Sequence, residues 1–328
     1  MAFKFGTQKS LGLGIIGGGG AILKPQEVFA TSLYTGAGAA QTVTSGVDLL
    51  GKGGLFWLKE RAGASNGHVL MDTARVSGAN DPFLQTNTTG AEVGAQDYIN
   101  YLSTGVRFNS SIPGFNDSGM TYASWSFARA AKFFDIVTWT GDGTASRQIP
   151  HGLGVVPGMI VMKARTGTTG WFVYHRGTGN GGFLTLNTTD AFTSSSLWSG
   201  GTISDTSFPA ASGAAANGSG IQYVAYLFAH DPSAEGIVQC GSFTGTPATI
   251  NLGWPAQFFM HKRTDATDDW YIYDTARGFG SGADKLLRPN TSAAEQSFDF
   301  GEPTSTGVTV NSGATAGTNI YLAIRAPY

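Results

Sequence analysis

The chain repeats itself. Its clearest copy opens at Phe134-Asp135-Ile136-Val137-Thr138-Trp139-Thr140-Gly141 and continues into an apolar run with a basic tail, Met159-Ile160-Val161-Met162-Lys163-Ala164-Arg165. Trp171, Tyr174-His175-Arg176-Gly177, Leu186-Asn187-Thr188 and Tyr223-Val224-Ala225-Tyr226-Leu227-Phe228-Ala229 follow in that order. The same landmarks stand before and after this copy. Thr35, Thr140 and Thr244 recur at a spacing of about 100 residues, as do Arg61, Arg165 and Arg263, and Asn87, Asn187 and Asn290. That period exceeds the range of solenoid repeats, so each copy reads as a whole domain in a row of three. The copies occupy 25–131, 132–234 and 235–328, behind a glycine-rich leader at 1–24.

Each copy consists of short β-branched and aromatic runs, such as Tyr122–Ala128 and Trp270–Tyr273, punctuated by Gly, Asn, Ser or Pro. No long stretch keeps a helical period with a cap at each end. The 48 glycines supply the positive φ that many tight turns require. The expected fold is all-β: three tandem antiparallel β-sandwich, jelly-roll-like modules. A single cysteine, Cys240, leaves no internal disulfide within a monomer, so packing alone must hold the chain together.

Several function classes drop out on charge and hydropathy. Net charge is -2 and only 13% of residues are charged, so the basic surplus that tracks a phosphate backbone is missing. No apolar run is long enough to span a membrane as a helix. The leader loosely resembles a secretion signal, but Gly12, Gly14 and Gly17 to Gly20 interrupt its apolar centre. Phe3, Phe5, Leu11, Leu13 and Ile15 alternate instead, which reads as a docking arm that adds a strand to a neighbouring sheet edge.

No motif for catalysis, cofactor or metal stands in the context its chemistry needs. Gly12-Leu13-Gly14-Ile15-Ile16-Gly17 has dinucleotide-binding spacing but is followed by more glycines and Pro25, not by a helix. Gly63-Ala64-Ser65-Asn66-Gly67 matches a nucleophile elbow, yet the corresponding turns of the other copies carry no serine. His68, His151, His175, His230 and His261 lack metal-ligand spacing. Asp265, Asp268 and Asp269 would suit calcium by charge, but without the glycine and terminal glutamate of a calcium loop they read as a solvated hairpin tip. The expectation is therefore no enzyme activity and no cofactor.

Two sets of residues remain as candidate contacts. Trp171, Trp198, Trp254 and Trp270 lie next to turns, where sugar rings or a partner would stack on them; core packing is the competing reading for residues of this size. Lys59/Arg61, Lys163/Arg165 and Lys262/Arg263, with the later Asp72/Arg75, His175/Arg176 and Asp274/Arg277, recur by copy. Repetition at one place favours cross-strand ion pairs or a cation that satisfies backbone carbonyls over a ligand role.

The ordered set of Thr140-Gly141, His151-Gly152-Leu153-Gly154, Pro157-Gly158, the Lys163-Ala164-Arg165 tail, Trp171, Arg176-Gly177, Asn187-Thr188 and Tyr223–Ala229 resembles a repeat module of tail-fibre-like and other structural proteins of tailed bacteriophages. Residues 134–229 carry it best. The first copy lacks the His-Gly-Leu-Gly motif and has His68 where a tryptophan is expected. The resemblance implies β-sandwich modules in a virion protein assembled in the host cytoplasm: a tail fibre or tail-associated adhesin, with capsid decoration and carbohydrate binding as alternatives. It further implies other virion proteins as partners, a homo-oligomer such as a trimer, and a host-surface glycan as receptor.

Overall fold

The computed structural model describes residues 22–63, 66–78, 80–94 and 96–328. The leader's Phe3, Phe5, Leu11, Leu13 and Ile15 lie outside the described residues. Among the described residues all regular structure is β-strand apart from two short 3-10 turns.

The first repeat holds β1 (Phe29–Thr35), β2 (Gln41–Thr44), β3 (Gly54–Glu60), β4 (Val69–Asp72), β5 (Phe83–Gln85), β6 (Ile99–Leu102), β7 (Gly105–Phe108) and β8 (Thr121–Ala128). The second holds β9 (Phe134–Thr140), β10 (Arg147–Pro150), β11 (Pro157–Ala164), β12 (Trp171–His175), β13 (Gly179–Thr185), β14 (Thr193–Ser194), β15 (Ser207–Ala210) and β16 (Gln222–Ala229). The third holds β17 (Val238–Thr244), β18 (Ala248–Asn251), β19 (Ala256–Arg263), β20 (Trp270–Asp274), β21 (Asp284–Leu286), β22 (Gln296–Phe298), β23 (Gly301–Thr304), β24 (Gly307–Val310) and β25 (Thr318–Arg325).

Three large antiparallel sheets result, ordered β1-β8-β3-β4-β5, β9-β16-β11-β12-β13-β14 and β17-β25-β19-β20. Smaller sheets accompany them: β2-β7-β6, β10-β15, β18-β24-β23 and β21-β22. Phe108 on β7 packs its ring 6.2 Å from Phe56 on β3, so the small sheet covers one face of the large one as in a β-sandwich.

The other face explains the sequence pattern. β3 and β11 are buried at every position, and β16 at all but its first. A strand covered on both faces reads as a near-continuous apolar run rather than as an alternation. Under one face lies the repeat's own small sheet; under the other lie the two remaining large sheets. Register places Leu55 beside Phe127, Met159 beside Phe228 and Phe258 beside Ile324, one inward pair per repeat. Phe127 lies 5.6 Å from Phe228 and 6.2 Å from Phe258, ring centre to ring centre, so side chains of all three repeats meet. The next pairs, Trp57 with Trp125, Val161 with Tyr226 and Met260 with Leu322, stack on the first. One buried cluster runs from Val28 to Ile324 through all three repeats. The third repeat keeps a second, separate cluster under its small sheet, around Phe259, Tyr273 and Phe300.

Candidate functional site

The polar groups of the repeats converge on the joints between them. Where the second repeat meets the first, the Tyr226 hydroxyl donates to Asp72 at 2.8 Å and Trp171 Nε1 donates to the Gln85 and Thr88 carbonyls at 3.0 and 3.2 Å. Arg165 grips Glu92 through Nε and Nη2, both at 2.9 Å. Such a two-pronged pair fixes direction as well as charge. Burial would raise the Glu92 carboxyl, but the bond from Arg165 and the charge of Arg75 outweigh it, and its pKa falls.

Where the first repeat meets the third, the pattern returns. Trp125 Nε1 donates to Asp274 at 3.0 Å, and Arg61 grips Glu295 at 3.0 and 2.8 Å. The third repeat closes on the second through Trp270 Nε1 to the Thr185 carbonyl at 3.0 Å and Lys262 Nζ to the Thr189 carbonyl at 3.1 Å. Second on first, first on third and third on second make a closed head-to-tail ring within one chain. Heterologous contacts close in this way only when the rotation between units allows it.

The third joint is chemically different. Phe192 occupies the place of Glu92 and Glu295: its N–H bonds the Thr264 carbonyl as theirs bond Arg165 and Arg61. Thr264 takes the place of Arg165 and Arg61 and carries no cation, while Arg263, one residue earlier on the strand, turns to Asp265 at 2.6 Å. His175 replaces Asp72 and Asp274 and bonds the Tyr321 carbonyl at 3.0 Å through Nε2, while Nδ1 accepts from the Gly177 N–H. That pair of bonds sets a neutral tautomer, and burial holds the pKa at about 4.

The repeated cations serve the backbone and the joints. Lys59, Lys163 and Lys262 are fully buried, and each Nζ donates to the carbonyl of the next residue, at 2.6, 2.7 and 2.9 Å. Desolvation lowers each to about 8. Asp72 pairs with Arg75, and Asp274 with Arg277, three residues along one chain rather than across strands. Arg75 and Arg277 then reach the same Glu92 and Glu295 that the neighbouring repeat holds.

Trp171, Trp198, Trp254 and Trp270 are 0%, 0%, 1% and 1% exposed. No indole offers a face to solvent, which withdraws them as sugar-stacking platforms; the hydrophobic gain from burying so large a ring decides their place. Trp171 and Trp270 are contacts between repeats, whereas Trp198 packs beside Tyr174 and Phe208 inside the second repeat. The acidic hairpin of the third repeat is self-satisfied: Asp265 accepts from Arg263, Asp268 from Tyr271, and Asp269 from Asn290. Among the described residues no group of three or more His, Cys, Asp or Glu is placed to hold a metal ion. No helix among them is long and apolar enough to cross a membrane.

Sequence reasoning missed Glu92 and Glu295. A signal existed, since each lies five residues beyond a landmark asparagine, Asn87 or Asn290, but Phe192 breaks the series in the second repeat.

No curated protein and no solved structure matches this chain. Residues 24–325 match the profile of a family described as a domain of unknown function, and the chain belongs to that family, DUF7483.

Proposed function

We propose that this chain is a non-enzymatic structural protein of a phage virion, a tail fibre or tail-associated adhesin subunit. The observation that carries the reading is the closed ring of repeats around one core. The repeated landmarks on which the resemblance to phage structural modules rests (Trp171 and Trp270, Arg61 and Arg165, the buried lysines) are engaged in internal contacts. A body built in this way suits a rigid knob that presents its loops outward. Its partners are then other virion proteins, copies of itself and a host-surface glycan, with the leader as the attachment to the particle.

Purified particles imaged by electron cryo-microscopy, with copies counted, test this. A few copies at the tail agree with the proposal. Hundreds over the shell replace it with capsid decoration, a reading that the same compact body also suits. None on any particle sinks both.

A further inference from the structure

The three joints share a backbone bond but not the same charges. The Glu92 N–H donates to the Arg165 carbonyl, that of Glu295 to Arg61 and that of Phe192 to Thr264, at 2.8 Å each. At the first two, the side chains of the same residues also form a two-pronged ion pair. At the third they are a phenyl ring and a hydroxyl. Among the described residues no ion pair joins the second repeat to the third.

The buried centre of that joint differs in the same sense. Strand register sets Leu322 where the other joints have Tyr226 and Trp125. It sets His175, opposite Met159, where they have Asp72, opposite Leu55, and Asp274, opposite Phe258. The leucine side chain has no donor to give. The link is instead His175 Nε2–H to the Tyr321 carbonyl at 3.0 Å, while Nδ1 accepts the Gly177 N–H, also at 3.0 Å. Three residues on, the counterpart of Arg75 and Arg277 is Thr178, whose hydroxyl turns back to the His175 carbonyl. The remaining polar links across the joint are bonds to backbone carbonyls, from the Phe192 and Asp268 amides, Lys262, Trp270 and Arg176.

We propose that neutral His175 latches the ring at this joint, and that mild acid opens the ring there while the other two joints stay closed. Both imidazole nitrogens are committed in the closed joint. A proton can enter only at Nδ1, where it displaces the Gly177 N–H and sets two donors against each other. The imidazolium then lies beside the Arg176 guanidinium, with His230 as the other titratable neighbour, and both disfavour its charge. Cys240 and Tyr321, on the third-repeat strands packed there, are raised by burial and stay uncharged. Water solvates the charge only when the ring leaves the Tyr321 carbonyl, which releases the latch. Burial keeps the closed joint from binding the proton until about pH 4, whereas an opened joint binds it below an ordinary 6.5. Acid therefore favours the open form, by up to about tenfold per pH unit between those values. His68 is also buried, stacked on Trp125 where the first repeat meets the third, but opening there must break Arg61–Glu295 and Trp125–Asp274 as well.

Hydrogen exchange on the full chain at pH 7 and pH 5, corrected for intrinsic rates, tests this on the amides that cross the joints. Phe192 and Asp268 cross from second to third repeat, Glu92 and Thr169 between first and second, and Glu295 between first and third. The expected result is a loss of protection of about tenfold or more at Phe192 and Asp268, and of less than about threefold at the other three. His175→Gln keeps a donor for the Tyr321 carbonyl without a titratable ring and should abolish the loss. Phe192→Glu with Thr264→Arg installs the ion pair of the other joints and should keep the Asp268 amide protected at pH 5. Equal losses at all three joints overturn the proposal, as does an absence of loss at Phe192 and Asp268. A loss that persists in His175→Gln also overturns it and transfers the effect to His230. If the installed ion pair leaves Asp268 exchanging as in the parent protein, the amide does not report an opening joint, and the proposal fails.

Discussion

Asp274 accepts the indole N–H of Trp125 at 3.0 Å across 149 residues of sequence, and the same aspartate neutralises Arg277 at 2.7 Å. One carboxylate therefore ties the first repeat to the third while holding a fully buried cation in its own. Asp274→Ala leaves Arg277 without its nearest countercharge, and removing one partner of a buried pair costs about 3–5 kcal/mol. Trp125→Phe removes the donor to a charged group, for a loss of about 1.5–3 kcal/mol, and adds the cost of the space that the larger indole filled in a fully buried site. Urea unfolding of both variants and of the double variant measures this. A loss for Asp274→Ala smaller than that for Trp125→Phe would show that Arg277 does not depend on Asp274.

The shared core makes the repeats one cooperative unit. Met159, Val161, Tyr226 and Phe228 of the second repeat line the same small apolar void as Leu55, Trp57 and Met260 from its neighbours. Cut out as residues 132–234, the second repeat would expose that face to water. The excised piece is expected to be unfolded or aggregated by circular dichroism and size exclusion. The full chain is expected to melt in one transition, with calorimetric and van't Hoff enthalpies in agreement. Three separate transitions would refute the shared core.

Acid should weaken the fold through its buried histidines. His175 and His261 are held at about 4 by burial, against an ordinary 6.5, and His68 is lowered as well. Their stabilisation is complete above pH 6.5 and is lost as pH falls towards 4, because only the unfolded chain takes up the protons. The slope is about 1.4 kcal/mol per pH unit per histidine. Melting temperature measured from pH 7 to 4 should fall through this window, and His175→Gln should flatten it. A melting temperature that stays level down to pH 4.5 contradicts the burial argument.

How much of this was legible in the sequence depends on where each residue's partner sits. The period showed itself because Thr35 and Asn87 have counterparts in both later repeats; Arg61 has its counterpart in Arg165, but Arg263 lies one residue out of register, with Thr264 at the equivalent place. The strands showed themselves because β8, β16 and β25 are aromatic and β-branched runs. The all-β sandwich expected from that pattern is the fold observed. What the pattern cannot give is the other side of a joint. Trp171 looks the same in sequence whether its indole faces water or the Gln85 carbonyl, since the partner lies 86 residues away. His261 hid for a related reason. Its singularity appears only when Leu58 and Met162 are set beside it on the same face of equivalent strands.

The three buried lysines predict an alkaline rise in stability. Lys59, Lys163 and Lys262 lie near 8, against 10.5, because burial penalises the ammonium. Between those values the unfolded chain holds protons that the folded chain has released, so stability increases with pH, by about 1.4 kcal/mol per unit for each lysine. Tyr34, Tyr101 and Tyr226 oppose this above pH 10, because burial raises all three hydroxyls and only the unfolded chain ionises them. Maximum stability should then fall near pH 10, higher than the ~5–8 usual for folded proteins. Lys163→Met removes one of three equivalent groups and should cut the slope between pH 8.5 and 10 by about a third. Urea midpoints across that range decide it: a flat profile in the parent protein would mean that the lysines keep their charge inside, bonded to the carbonyls of Glu60, Ala164 and Arg263.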